Sequence, residues 1–163
     1  MYKKNKAVFL DRDGVLNFER GYTYHLNDFI VLPGVARVLK QFQDAGFLLI
    51  VISNQGGIGK GLYTKEDVSI LHQHLCATLA LEGVLLSEIY YCPHHPASSR
   101  CICRKPDSLL IEKAIAKYDI EPSSSFFIGD KERDIEASTK ANVTGILIES
   151  NSPLDNILKK ILP

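Results

Sequence analysis

The chain is organised around the stretch Val8-Phe9-Leu10-Asp11-Arg12-Asp13-Gly14-Val15-Leu16-Asn17. The continuous apolar run that ends at Leu10 predicts a strand buried on both faces of a sheet. Two carboxylates, Asp11 and Asp13, and a glycine follow this strand at once. Asp and Gly are ordinary turn residues, so the motif alone is also compatible with a simple turn. In open α/β sheets, however, ligands bind beyond the carboxyl ends of the strands, which makes this carboxylate pair a candidate for chemistry.

Short apolar runs alternate with helical patterns along the rest of the chain. Strands are predicted at residues 7–10, 47–52, 89–91, 126–128 and 143–148. Helices are predicted to begin at Val35, at Thr64, at Asp107, after Asp130 and at Leu154. This alternation is typical of an α/β fold, here a Rossmann-like parallel sheet sandwiched by helices. No connection is long enough for a large cap domain, so residues 1–163 are predicted to form a single domain.

Two helix starts and one side chain give more detailed expectations. Thr64 and Asp67 predict a capping box at the start of the second helix, and Asp107 is predicted to cap the third. Cys76 lies beside the apolar face of the second helix. We therefore expect it to be a small buried residue.

Composition and charge argue against several classes of protein. With 163 residues, 45% of them hydrophobic, the chain can bury one sizeable core. Its 19 basic and 19 acidic side chains cancel, which argues against binding to nucleic acid or to a membrane through bulk charge. The first apolar run ends at Asp11, too early for a signal peptide, and no later segment is long enough to span a bilayer. We expect a cytoplasmic monomer, whose four cysteines serve a purpose other than disulfide formation.

A glycine-rich segment follows the second predicted strand. Ser53-Asn54-Gln55-Gly56-Gly57-Ile58-Gly59-Lys60-Gly61 combines four glycines with a hydroxyl, two amides and a lysine. Backbone N–H groups of such a loop can approach an anion closely because no Cβ intervenes. The segment matches neither a Walker A motif nor a dinucleotide-binding fingerprint, so a flexible connector remains an alternative. Its position after a buried strand makes Ser53, Asn54, Gln55 and Gly56 candidates for binding phosphate.

A cluster of thiols and imidazoles follows the third predicted strand. The segment at residues 92–103, called the cysteine loop below, contains Cys92, His94, His95, Cys101 and Cys103. Three cysteines and one histidine are a common ligand set for structural zinc. The alternative, three unrelated exposed thiols side by side, is disfavoured because exposed cysteines are reactive. His94 matches the spacing of the two later cysteines and is the better fourth ligand, whereas His95 could donate a hydrogen bond or contact a ligand.

Charged residues also lie near the remaining strand ends. Arg104 and Lys105 come directly after the cysteine loop, and Asp130 and Asp134 follow the fourth strand one helical turn apart. Asp130 could instead be only the cap of the next helix. Carboxylates are hard ligands suited to Mg²⁺, and hydroxyl, amide and ammonium groups can hold phosphate oxygens. One aspartate would then be free to attack phosphorus and form an aspartyl-phosphate.

These strand ends resemble the four motifs of the haloacid dehalogenase superfamily of phosphatases. The resemblance is carried by Asp11-Arg12-Asp13-Gly14, Ser53, Lys105 and the segment from Gly129-Asp130 to Asp134. Within that superfamily, the cysteine loop together with Arg104-Lys105-Pro106 and Lys131 resembles the heptose bisphosphate phosphatases, with the histidinol phosphatases next. Membership implies a compact Rossmann-like domain with a zinc-bound loop and Mg²⁺-dependent hydrolysis of a phosphorylated sugar.

The resemblance also implies roles for individual residues. Asp11 would be the nucleophile and Asp13 the general acid and base. Mg²⁺ would be held by Asp11, by the backbone carbonyl of Asp13 and by Asp130. The transferring phosphoryl group would be held by Ser53, Asn54 and Lys105, with Gln55 and Gly56 beside them. The rest of the substrate would contact Glu19, Arg20, Gly21, Tyr22, Arg104 and Lys131, and zinc would be held by Cys92, His94, Cys101 and Cys103.

Two alternatives to this prediction differ in what they require of the site. Histidinol phosphate is the alternative substrate, because the cysteine loop is short, as in the histidinol phosphatases. A module that binds a phosphorylated metabolite without catalysis is the alternative of a different class. A free nucleophile is unnecessary for binding alone, so the presence of both Asp11 and Asp13 favours an enzyme.

Overall fold

The structure is a computed structural model that describes residues 4–162. Its five strands are β1 (Lys6–Leu10), β2 (Phe47–Asn54), β3 (Glu88–Cys92), β4 (Phe126–Gly129) and β5 (Thr144–Leu147). Its helices are α1 (Val35–Asp44), α2 (Lys65–Ala80), α3 (Leu109–Tyr118), α4 (Glu132–Lys140) and α5 (Asp155–Ile161). All five predicted strands and all five predicted helices are therefore present. The ends of the predicted single domain, residues 1–3 and 163, lie outside the described part.

The strands form one parallel sheet in the order β3-β2-β1-β4-β5. Strand β1 lies in the centre, where Leu10 pairs with Val51 of β2 and with Ile128 of β4. This register brings the carboxyl ends of three strands to one edge. The α/β class and the parallel sheet are confirmed, and the edge at which ligands bind in such sheets contains Asp11.

Helices cover both faces of the sheet. Alternate residues of a strand face opposite sides, so Val8 and Leu10 pack into one apolar cluster and Ala7 and Phe9 into another. The first cluster contains buried residues of α1, α2 and α5, and the second contains buried residues of α3 and α4. Burial on both faces explains why the strands read as continuous apolar runs.

The capping box is confirmed, and two local expectations are wrong. The Oγ1 of Thr64 accepts a hydrogen bond from the backbone N–H of Asp67, whose side chain accepts one from the N–H of Thr64. Asp107 does not cap α3, because its N–H donates to the carbonyl of Arg104 in a turn that delays the helix, and Ser108 is the N-cap residue. Cys76 is exposed, since it lies one position off the buried face of α2.

Among residues 4–162, no helix combines the length and apolar character needed to cross a bilayer.

Candidate active site

The ammonium group of Lys105 is at the centre of the site. This side chain is almost fully buried, and its Nζ lies 2.9 Å from Oδ1 of Asp11 and 2.7 Å from Oδ1 of Asp134. It also donates to the backbone carbonyl of Ile52 at 2.8 Å. Burial alone would lower the pKa of Lys105, but the two carboxylates raise it above its usual value. The ammonium group is therefore held as a fixed cation between the two carboxylates, beside Asp11.

Asp11 leaves the end of β1 with its carboxylate buried. Burial raises the pKa of Asp11 to about 7, an effect that Lys105 opposes and Asp134 reinforces. Its Oδ1 also accepts a hydrogen bond from the backbone N–H of Arg12 at 2.8 Å. A partly desolvated carboxylate that faces a cavity has the character required of a nucleophile.

Asp13 is held by several donors. Its Oδ1 accepts from Nδ2 of Asn17 at 2.9 Å, and its Oδ2 accepts from Nε2 of Gln55 at 3.0 Å. Arg12, which is fully buried, donates to both oxygens from Nη2 at 2.9 and 3.0 Å. The orientation of this carboxylate is therefore set by neighbouring side chains.

A third carboxylate lies beside Asp11. Oxygen atoms of Asp11, Asp130 and Asp134 all lie within 4.8 Å of one another, and all three residues are buried. Oδ1 of Asp130 accepts no hydrogen bond from residues 4–162, and its Oδ2 lies 3.0 Å from Nζ of Lys131 without hydrogen-bond geometry. A buried carboxylate oxygen without a donor is costly, and a hard cation would satisfy it. Asp11 and Asp130 thus fit Mg²⁺, and both Asp11 and Asp134 also lie against the ammonium group of Lys105.

The second strand end supplies groups that hold one another in place. Asn54 exchanges two hydrogen bonds of 3.0 Å with the backbone of Lys105. The amide of Gln55 donates to Ser53 Oγ at 2.8 Å as well as to Asp13, and its oxygen accepts from Tyr63. The amide nitrogen of Gln55 therefore faces Asp13. The Ser53 oxygen then accepts from Gln55, which leaves the Ser53 proton free to be donated to a ligand.

A cavity of about 220 Å³ opens next to Asp11 and Asp13. Among the predicted substrate-binding residues, those that line it are Glu19, Gly21, Tyr22, Asn54, Gln55, Gly56 and Arg104. Arg20 is exposed, with its guanidinium 5.8 Å from the ring of Phe18, and Lys131 faces Asp130; neither lines the cavity. The cavity is also lined by His95, which the sequence suggested could contact a ligand, and by Thr23, Tyr63 and Arg133, to which the sequence assigned no role.

Four of the residues in the cysteine loop converge on one point. Sγ of Cys92 lies 3.1 Å from Sγ of Cys103 and 3.6 Å from Sγ of Cys101. Nδ1 of His94 lies 3.3 Å from Sγ of Cys103 and 3.5 Å from Sγ of Cys92. Zinc–sulfur bonds of about 2.3 Å place tetrahedral ligands about 3.8 Å apart, whereas a disulfide requires about 2.05 Å. The cluster is therefore close to the geometry of a metal site, and His94, not His95, completes it.

The cysteine loop packs directly on the glycine-rich segment. A Cβ on Gly59 would lie 2.7 Å from the backbone nitrogen of His95, and one on Gly56 would lie 2.9 Å from Nη1 of Arg104. A Cβ on Gly57 would collide with the ring of Tyr63. These three glycines are thus explained by close packing of protein groups. Their small size serves the loop contact and does not by itself indicate a phosphate cradle.

Comparison with known proteins gives a consistent set of relatives. Residues 102–160 match the family described as HAD-hydrolase-like. The D-glycero-β-D-manno-heptose-1,7-bisphosphate 7-phosphatase of Haemophilus ducreyi is 39% identical over 156 residues, covering 91% of this chain and 86% of the relative. The enzyme of the same name from Helicobacter pylori is 41% identical over 155 residues, covering 94% and 88%. A crystal structure of D,D-heptose 1,7-bisphosphate phosphatase from B. bronchiseptica, complexed with magnesium and phosphate, matches with a TM-score of 0.84 at 27% identity, covering 97% of this chain and 88% of that one.

Proposed function

This chain belongs to the D-glycero-β-D-manno-heptose-1,7-bisphosphate 7-phosphatase family of HAD-like hydrolases, and from that premise we propose that it removes the 7-phosphate of this sugar bisphosphate. The observation that carries the proposal is the buried carboxylate of Asp11, held 2.9 Å from Lys105 Nζ at the edge of a polar cavity. A non-catalytic binding module would gain nothing from a desolvated carboxylate where the substrate phosphate must bind, because two anions repel each other.

In the proposed first step, a carboxylate oxygen of Asp11 attacks phosphorus and the bond between phosphorus and the sugar oxygen breaks. The leaving oxygen takes the bonding electron pair and receives a proton from Asp13. In the second step a water molecule attacks the aspartyl-phosphate and gives its proton to Asp13. Inorganic phosphate leaves, and the carboxylate of Asp11 is restored. Lys105, Asn54 and the free proton of Ser53 would hold the phosphoryl oxygens.

Two metal ions are part of the proposal. Asp11 and Asp130, with the backbone carbonyl of Asp13, would hold Mg²⁺, which when bound would neutralise negative charge on the phosphoryl group. Cys92, His94, Cys101 and Cys103 would hold zinc in a structural site, since four protein ligands leave no open position. The support for zinc is the donor set and its near-tetrahedral spacing. The zinc would fix the loop that ends at Arg104 and Lys105.

Two arginines in the cavity lining support the sugar bisphosphate over histidinol phosphate as the substrate. Arg104 and Arg133 line the cavity, and Arg133 has no ion pair within residues 4–162. Two guanidinium groups favour a substrate that carries a second anion away from the scissile phosphate. Histidinol phosphate has no second anion for these guanidinium groups to bind.

The test is phosphate release in the presence of Mg²⁺ from heptose 1,7-bisphosphate and histidinol phosphate in parallel, with Asp11→Asn as the blank. We expect kcat/KM for the bisphosphate to be higher by at least about 10²-fold, because the second anion is worth a charge-assisted bidentate contact. Preference for histidinol phosphate would refute the substrate proposal. If phosphate is released from neither substrate, both proposed activities are refuted.

A further inference from the structure

Arg12 is the largest fully buried side chain in the structure, and the proposed mechanism gives it no contact with substrate. A buried guanidinium is costly unless it is paired and hydrogen-bonded. Its counter-ion is Asp13, the residue that follows it. Arg12 lies between the two aspartates to which the proposed mechanism assigns catalysis.

The guanidinium group of Arg12 contacts both carboxylate oxygens of Asp13. Nη2 of Arg12 lies 2.9 Å from Oδ1 and 3.0 Å from Oδ2 of Asp13, and Nε lies 3.3 Å from Oδ1. Several hydrogen bonds from one planar group fix the plane of the carboxylate as well as its position. Lysine could supply the charge but not this geometry, because its ammonium is a point charge.

The guanidinium is itself held from outside the strand end. Nη2 donates to the carbonyl of Thr23 at 3.4 Å, and the ring of Phe29 lies 5.5 Å from the guanidinium carbon. Nη1 lies 3.4 Å from Nε2 of His72 on α2. The side chain is therefore anchored by the segment at residues 23–29 and by α2, both of which lie outside the loop that contains Asp13.

We propose that Arg12 is a positioning residue that sets the rotamer and the plane of the Asp13 carboxylate for proton transfer to the leaving oxygen. This inference rests on the proposed function, because it assumes that Asp13 is the acid and base. The side chain of Arg12 acts only through Asp13, and it contributes neither to binding the phosphate nor to the attack by Asp11.

The test uses two substrates that differ in their need for a general acid. A sugar phosphate releases an alkoxide that must be protonated, whereas p-nitrophenyl phosphate releases a stable phenolate. The ratio kcat/KM reports the steps from substrate binding through the phosphorylation of Asp11, so it is not affected by the later hydrolysis step. We expect Arg12→Lys to lower kcat/KM for the sugar bisphosphate by about 10²-fold and that for p-nitrophenyl phosphate by less than about 5-fold. Arg37→Lys, in an exposed ion pair with Asp155, is the matched control and should change neither value.

A double-mutant cycle gives a readout that a purely structural role would not move. If Arg12 acts only through Asp13, then Arg12→Lys should cause no further loss of kcat/KM in an Asp13→Asn background. Equal losses on both substrates, additive losses in the cycle, or wild-type rates for Arg12→Lys would each overturn the proposal.

Two further arms cover the ways in which this design could fail. If Arg12→Lys does not fold, His72→Leu removes one anchor of the guanidinium without touching Asp13. It should lower kcat/KM by about 3-fold for the sugar bisphosphate and leave the aryl phosphate unchanged, and equal changes on the two substrates would refute the proposal. If the wild type does not hydrolyse heptose bisphosphate, the proposed function fails. The Arg12 comparison is then made on whichever alkyl phosphate the wild type accepts, with the same criteria.

Discussion

Nζ of Lys105 lies 2.7 Å from Oδ1 of Asp134, and both side chains are inaccessible to solvent. Asp134 also accepts a hydrogen bond from the backbone N–H of Lys131 at 3.1 Å, so it joins the start of α4 to the lysine beside Asp11. Asp134 is therefore a partner of Lys105, although its position one turn after Asp130 is also compatible with a metal ligand.

We expect Asp134→Asn to lower the free energy of unfolding by about 3 kcal/mol, because it removes one of the two anions that compensate a buried ammonium. Asp107→Asn is the matched control, since Asp107 is an exposed partner of Lys140, and it should change stability by less than about 0.5 kcal/mol. Urea unfolding of the three proteins measures the difference. Equal stabilities would show that the Lys105–Asp134 pair is dispensable.

Asp11→Asn should lower kcat more than about 10³-fold while leaving the protein folded, because an amide cannot form the aspartyl-phosphate. Burial raises the pKa of Asp11 to about 7, so in the folded protein the carboxylate is harder to ionise than in the unfolded chain. The amide avoids that cost. Asp11 is also one of the two anions paired with Lys105, so this gain is offset, and we expect the melting temperature of Asp11→Asn, measured at pH 7.5 without added Mg²⁺, to stay close to that of the wild type. A large fall in melting temperature would contradict this account.

The fold was predictable because strands that are buried on both faces of a sheet consist of continuous apolar runs. The strand-end residues Asp11, Ser53 and Asp130 could be recognised for the same reason, since each directly follows such a run. Sheet order and side-chain direction were not accessible in this way. Lys131 illustrates the limit, because only the structure shows that its ammonium faces Asp130 and lies away from the cavity lining.

Residues whose function depends on burial were also missed. Arg12 lies in the first motif, and Tyr63 lies just after the glycine-rich segment. Residue type alone does not reveal that Arg12 contacts Asp13 or that Tyr63 contacts Gln55. A shift of one residue decides whether Asp107 or Ser108 caps α3, and whether Cys76 is buried or exposed. Hydrophobic periodicity does not resolve a shift of one residue.

Cys101→Ser should lower both zinc content and stability, because a hydroxyl is a weak zinc ligand and the loop would lose its fourth strong donor. Cys76→Ser is the control, since Cys76 is exposed and lies outside the cluster of four. Metal analysis of the purified proteins and their melting temperatures are the measurements. A Cys101→Ser protein that is stable, free of zinc and fully active would refute a structural zinc.

The lowered pKa of His72 predicts that the folded protein loses stability in acid. Burial, reinforced by the charge of Arg12, lowers the pKa of His72 to about 4, below its usual value near 6.5. The folded protein thus binds this proton more weakly than the unfolded chain, and the stabilisation present above pH 6.5 is lost as the pH falls towards 4. Relative to His72→Gln, the wild type should lose about 2 kcal/mol between pH 7 and pH 4 by urea unfolding. Parallel losses in the two proteins would contradict the shift.

The cysteine loop has two ends held by thiols and by the contacts with Gly56 and Gly59, while residues 96–100 at its tip are exposed. Exposed loop tips tolerate insertions, because little packed backbone is disturbed there. The tip is therefore a permissive point at which the chain can be lengthened, labelled or grafted without displacing Arg104 or Lys105. In engineering terms, the length of the loop tip and the positions of Arg104 and Lys105 are separately adjustable properties.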